Sequence, residues 1–340
     1  MLRKRSQRLN RFTRIARFLV VMLAMLVGSW SCSKGDYSGK VETVTIGENP
    51  NETKALIYIA QERGLLATNG INVIFKNYDS GVAAANALVK GEVDLATCAE
   101  FVTVVSVLKK ENIRVITCFS RLQNTYIVAR SNKGISSIAD LKGKRIGVTR
   151  QTASEFFLGR FLELHGMSIK QVTLVNVTPA QSVDALASGS VDAAAVFQPH
   201  ANTIKKKLGA GVAMWPAQSG QLIYFNIIST EPWASSHQEV IIRLLRSLIQ
   251  AENYVASHPN EAKAIVQKRL QYDDAYINAV WREYQFYVSL DQGLLVAMED
   301  EARWMIANKL TSEKKVPDFL DYIYLDGLKA VKPEAVNIIR

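Results

Sequence analysis

The sequence predicts an α/β protein of two lobes, each a mostly parallel sheet flanked by helices. Two observations carry this. The first is a doubled motif. Ala87, Leu88, Gly91, Val93 and Asp94 recur as Ala185, Leu186, Gly189, Val191 and Asp192, at a constant offset of 98 residues. In each copy a helix runs into a glycine suited to a left-handed C-terminal cap. A strand of small and β-branched residues follows without alternation, as in a strand buried on both faces. The second observation is that the echo extends upstream. Residues 44–47 match 145–148 as a short strand, the helical run 55–66 corresponds to 155–164, and strand 71–75 to 172–177. Strand, helix, strand, helix, strand twice over implies two parallel sheets with right-handed crossovers, and 340 residues exceed one ordinary domain. Such sheets take ligands beyond the carboxyl ends of their strands, so one ligand is expected in the cleft between the lobes.

Taken in order, the chain opens on Arg3, Lys4, Arg5, Arg8, Arg11, Arg14 and Arg17, then an apolar run of eleven residues at 18–28. A basic segment, a short apolar segment and small residues make a secretory signal peptide, assigned to 1–31. The run is short for a bilayer span. Cys32 follows in a stretch that resembles a bacterial lipobox, so it is the expected lipidation site, with 32–40 as a polar tether. Ordinary cleavage and an uncleaved anchor are the alternatives. The seven basic residues account for most of the net charge of +10 and leave +3 for the rest, which gives no electrostatic case for a nucleic-acid partner.

The first lobe is assigned to 41–127. It holds a strand at 41–47, turn chemistry at 48–51, a helix at 53–66 and a second strand at 71–78. Asp79-Ser80-Gly81 opens a second helix, Glu100 follows the third strand, and further strands are expected at 114–120 and 125–129. The second lobe is assigned to 128–227, with Ser136 or Ser137 capping a short helix at 138–141. A linker, Thr149-Arg150-Gln151-Thr152-Ala153-Ser154, follows strand 145–148, and Pro199 begins a helix to 208. The crossings between lobes are expected near 126–131 and 222–230. Residues 228–340 return to the first lobe and read as helical, with Val240, Ile241, Leu244, Leu245, Leu248 and Ile249 at helical spacing. The aromatics Tyr272, Tyr276, Trp281, Tyr284, Phe286 and Tyr287 are expected to pack in the core. Cys98 and Cys118 read as buried small hydrophobes, with a disulfide as the alternative.

The four histidines have no metal-ligand spacing, and there is no phosphate-cradling glycine loop or nucleophile elbow. No catalytic residue, metal or cofactor is expected. Candidate ligand residues lie at helix starts that follow strand ends, where the first N–H groups lack partners. Asn51, Ser80 and Gly81 come from the first lobe, and Thr149, Gln151 and Thr152 from the second. Phe197 and Gln198 end the doubled strand at the same edge. Lys54 and Arg150 favour an anionic head group, whereas Glu52, Asp79 and Glu100 favour an amine or zwitterion, so the charge of the ligand stays open.

The segments Glu62-x-Gly64-Leu65, Gly70-Ile71-x-Val73 and Ala87-Leu88-x-x-Gly91-x-Val93-Asp94 resemble those of type II solute-binding proteins of ABC importers. The residues Ile138-Ala139-Asp140-Leu141-Lys142-Gly143-Lys144 and Pro317-Asp318-Phe319-Leu320 are similar to the second-lobe entry and C-terminus of the branch for nitrate, sulfonates, taurine or the pyrimidine precursor of thiamine. The resemblance covers nearly all of 41–338. It implies the type II periplasmic-binding-protein fold and a monomeric, exported, membrane-anchored lipoprotein. It also implies a small-molecule ligand in the interlobe cleft, delivered to an ABC permease and its ATPase. Pro50-Asn51 and Tyr58-Ile59-Ala60 look most like pyrimidine-precursor binders, which carry a histidine where Lys54 stands. The alternatives are a pyrimidine-synthase-like enzyme of the same fold, whose cysteine-rich motif is missing here, and a ligand-sensing input protein.

Overall fold

The computed structural model describes residues 38–339. The expected signal peptide and the lipidation site Cys32 lie outside the described residues. The first run of elements is β1 (Glu42–Glu48), a 3-10 turn (Glu52–Lys54), α1 (Ala55–Glu62), α2 (Leu65–Thr68), β2 (Ile71–Asn77), α3 (Gly81–Val89), β3 (Leu95–Ala99), α4 (Glu100–Leu108) and β4 (Ile113–Leu122). The second run is β5 (Thr125–Arg130), β6 (Arg145–Val148), α5 (Ala153–Leu164), β7 (Thr173–Asn176), α6 (Pro179–Ser188), β8 (Ala193–Phe197), α7 (His200–Leu208) and β9 (Val212–Pro216). The return comprises β10 (Ile223–Thr230), α8 (Glu231–Ser236), α9 (Gln238–Ser257), α10 (Pro259–Leu270), α11 (Asp274–Val280), β11 (Tyr284–Asp291), α12 (Gln292–Ala307), α13 (Leu325–Val331) and β12 (Val336–Asn337).

Two sheets organise these elements, a seven-stranded one in the order β12-β11-β4-β10-β3-β1-β2 and a five-stranded one in the order β7-β6-β8-β5-β9. The doubled unit occupies equivalent places in both. β2-β1-β3 and β7-β6-β8 are parallel trios whose first strand lies in the middle. The repeated aspartate has a structural cause. Asp94 Oδ2 accepts from Thr45 N at 2.7 Å and Thr45 Oγ1 at 2.6 Å, and Asp192 Oδ2 accepts from Arg145 N at 2.9 Å. Each carboxylate ties the entry of the third strand to the first, at the middle of β1 and at the start of β6. Gly91 and Gly189 stand before them at φ +74° and +82°, where a Cβ would be strained.

The sheets are more mixed than the doubled unit predicts, because strands arriving from the other lobe enter reversed. β10 lies antiparallel between β3 and β4, and β5 antiparallel between β8 and β9. The chain passes from one sheet to the other at residues 123–124 and 217–222. The return is also not purely helical. β11 pairs antiparallel with β4, and β12 joins β11. The Tyr-, Phe- and Val-rich stretch 284–291 becomes a strand because β4 offers it an edge, a tertiary condition that local patterning does not contain. The helices do return to the large sheet's lobe. α9 buries Val240, Ile241, Leu244, Leu245 and Leu248 and packs against α1 and α13. Leu95–Ala99 is buried at every position, as its unalternating composition requires, and Cys98 and Cys118 are both buried and free.

Candidate functional site

The first lobe builds its side of a cavity from loops at strand ends. Asn51 precedes the 3-10 turn, and its Oδ1 accepts from Thr53 N at 3.1 Å and Lys54 Nζ at 3.1 Å. Its amide is therefore spent on shaping the turn and aiming the lysine. Asn51 Nδ2 donates to Asn49 Oδ1 at 3.1 Å, and Asn49 Nδ2 donates to Asp79 O at 3.1 Å, which stitches this turn to the loop after β2. That loop ends in Ser80, whose Oγ accepts from Ala83 N at 3.2 Å and caps α3. Gly81 follows against β3. A Cβ there would lie 3.1 Å from Cys98 Cβ, so a side chain at this position would crowd β3 by a few tenths of an ångström.

The second lobe faces these loops with Thr152, Ala153 and Ser154 at the start of α5 and with Phe197 at the end of β8. The crossing itself supplies Asn124 and Thr125, and Val102, Ile223 and Phe225 form apolar wall. The cavity volume is ≈ 50 Å³, room for about three to five waters or for the head group of a small solute. Both α3 and α5 present their N-termini to it, where unpaired N–H groups and the helix dipole favour negative charge.

Lys54 is the one cation of the lining among the described residues, which also carries no carboxylate, histidine or cysteine. The lysine is 1% exposed, and its Nζ lies 5.0 Å from the centre of the Phe225 ring. Burial lowers its pKa to about 8 against the pull of Glu48 and Glu52. Behind it, Glu52 accepts hydroxyl hydrogen bonds from Tyr272 at 2.9 Å, from Tyr284 at 2.7 Å and from Tyr276. Burial, and then the Glu52 charge, push all three hydroxyls well above the ordinary tyrosine range. The aromatic cluster expected as plain core is thus also a cage for a buried carboxylate, and that carboxylate sits in the turn between Asn51 and Lys54.

Of the residues singled out by sequence, Asn51, Lys54, Ser80, Gly81, Thr152 and Phe197 meet around the cavity. Five lie outside its lining. Thr149 Oγ1 donates to Val177 O at 2.8 Å. Arg150 pairs with Glu155 at 2.6 Å. Gln151 Oε1 accepts from Lys109 Nζ at 3.1 Å on the exposed surface. Gln198 Oε1 accepts from Asn202 N at 3.1 Å, near the start of α7. Glu100 is wholly buried at the start of α4. In each case another partner takes the side chain, or burial removes it, and spacing alone reveals neither. Sequence reasoning missed Asn49, Thr97, Asn124, Thr125, Ser154 and Phe225. Ser154 was within reach, since it starts the same helix as Thr152. Asn124 and Thr125 were not, because their place depends on where the chain changes sheets.

Residues 51–262 match the family model described as NMT1/THI5 like. A putative thiamine biosynthesis protein of Haemophilus influenzae is 30% identical over 216 residues, 62% of this chain and 68% of that protein. The taurine-binding periplasmic protein of Escherichia coli is 27% identical over 197 residues, 56% of this chain and 60% of that protein. Among solved structures, the alkanesulfonate-binding protein SsuA of Xanthomonas axonopodis pv. citri, bound to MOPS, superposes with a TM-score of 0.72 at 17% identity, covering 84% of this chain and 99% of that one. This likeness is one of fold.

Proposed function

The chain belongs to the NMT1/THI5-like family, and on that footing we propose that it is the extracytoplasmic solute-binding component of an ABC import system. It takes a small acid, of the sulfonate or carboxylate kind, into the interlobe cavity and presents it to a permease. The observation that carries the acid is Lys54, a buried ammonium in a lining without carboxylates, between two helix N-termini. An incoming acid replaces the lost hydration of that ammonium with a charge-assisted hydrogen bond. Relatives whose names include taurine and aliphatic sulfonates support the same class. The role is read as binding, in keeping with relatives named as binding proteins. Export and a lipid anchor at Cys32 rest on the N-terminal sequence and complete the reading.

A thermal-shift panel of sulfonates, carboxylates, nitrate, pyrimidines and amines tests it. An acid present at a hundred times its dissociation constant should stabilise the protein by about 2.7 kcal/mol. Lys54→Met should weaken that acid by about 1.5–3 kcal/mol. Stabilisation by amines or neutral pyrimidines, with no response to any acid, would remove this reading.

A further inference from the structure

The cavity residues from the crossing, Asn124 and Thr125, are each 2% exposed, and Asn124 Oδ1 and Thr125 Oγ1 have no hydrogen-bond partner. Their neighbours decide what each can offer a ligand. The Thr125 hydroxyl is both donor and acceptor and turns to suit. Asn124 is not free in this way. Its Nδ2 donates to Tyr284 Oη at 3.4 Å, and the single Tyr284 proton goes to Glu52 Oε1 at 2.7 Å. A tyrosine turned away from Glu52 would take one of three hydroxyl hydrogen bonds from a carboxylate that is 0% exposed, giving up a charge-assisted bond for a longer contact to a neutral amide. Burial and the nearby charge keep that hydroxyl protonated.

An oxygen that has given its proton away can only accept. Flipping the Asn124 amide would set acceptor against acceptor, so the network assigns the amide nitrogen to the tyrosine and leaves the carbonyl as an unpartnered acceptor on a residue of the cavity lining. The backbone is held as firmly. Asn124 N and Thr125 N both donate to Gln218 Oε1, at 2.7 and 2.9 Å.

We infer that Asn124 is a specificity-determining residue, whose carbonyl, locked by Tyr284 and Glu52, selects solutes that carry an amino or hydroxyl donor in addition to the acid group. The inference rests on the acid-binding reading above. A solute with a methyl group in place of the donor leaves a desolvated carbonyl unpaired, and a site built to hydrogen-bond its substrate discriminates strongly against such an analogue.

Isothermal titration tests it with two near-isosteric series. One is 2-aminoethanesulfonate, 2-hydroxyethanesulfonate and propane-1-sulfonate; the other is 3-aminopropanoate, 3-hydroxypropanoate and butanoate. The wild type should bind a donor-bearing member on the order of 10- to 100-fold more tightly than the methyl member of its series. In Asn124→Leu the ratio should collapse to within about threefold. Tyr284→Phe keeps every atom of Asn124 but releases the amide to flip, so the ratio should shrink there too, an effect that a purely structural asparagine would not produce. Thermal unfolding establishes that each variant is folded, and Tyr284→Phe carries the test alone if Asn124→Leu is not. Acids that bind the wild type with no donor preference overturn this inference and leave acid binding intact. A preference unchanged in the folded variants overturns it as well. Failure of every acid in both series to bind overturns the acid reading and the inference together.

Discussion

Lys54 concentrates the residue-scale physics. Its ammonium is buried beside an aromatic ring, and burial lowers its pKa to about 8 from an ordinary 10.5. The unfolded chain binds more protons between those values, so the cost of burying the ammonium, present in full below pH 8, disappears as pH rises through that window. Ligand binding runs the other way. An anion needs the ammonium, so affinity for an acid should hold from pH 6 to 7.5 and then fall by up to about tenfold per unit above pH 8. Titration calorimetry at pH 7 and 9.5 checks this, and equal affinities at both would rule out Lys54 as the anion's partner. Position 54 was readable as a candidate from sequence, since its charge and its place after a strand end are local facts. The capture of Glu52 by hydroxyl donors behind it was not. Glu52 weighed equally for an amine until the structure placed three tyrosine hydroxyls on it, from positions more than two hundred residues away.

At the scale of elements, α5 joins the lobes. The second-lobe Phe156 packs edge-on against Trp304 of α12 at 5.4 Å and stacks on Phe101 of α4 at 5.7 Å. Trp304 Nε1 donates to Glu163 Oε1 at 3.1 Å. Gly159 is the notch that admits the indole, since a Cβ there would collide with the Trp304 ring. Gly159→Ala should therefore destabilise by about 1–3 kcal/mol through overpacking, although alanine is the better helix former. Calorimetric unfolding measures it, and a rise in melting temperature would show that α5 and α12 do not meet this closely. The α5 helix was legible from the repeat and the return helices from periodicity. Their contact was not, because a glycine inside a helix pattern has no sequence mark that tells a notch from a defect.

On the scale of the whole molecule, two features govern how the lobes and their core respond to conditions. Gln218 clasps both crossings, with Nε2 donating to Leu122 O at 3.2 Å while Oε1 takes the Asn124 and Thr125 amides. Under the large sheet, Glu100 on α4 and Glu301 on α12 are both 0% exposed. Burial raises both pKa values above the ordinary 4.5, and the Glu100 charge raises Glu301 further. The folded state therefore keeps protons that the unfolded chain releases above about pH 4.5, so stability should fall as pH rises from there toward the raised values. Glu100→Gln should flatten that decline and leave the protein more stable than the wild type at pH 8. Calorimetric scans of both from pH 5 to 8 decide it, and parallel profiles would exclude Glu100 as a titrating group.

By itself the sequence determined what depends on near neighbours and on repetition. These are the doubled strand-helix unit, its glycine caps, the cleft between two sheets, and the turn residues Asn51, Lys54, Ser80, Gly81 and Thr152 that end up around one cavity. Strand ends and helix starts carry local chemical marks, and a parallel sheet places its strand ends on one edge, so those residues converge once the topology is known. Only the tertiary structure decided the rest. β11 exists because β4 has an open edge, Thr149 and Arg150 leave the cavity because Val177 and Glu155 take them, and Asn124 enters it because the chain changes sheets at that residue. Apart from the nearby Glu155, each of these turns on a partner distant in sequence or on an inter-strand edge. A hydrogen bond of that kind, unlike a cap or a period, leaves no trace in the order of the residues around it.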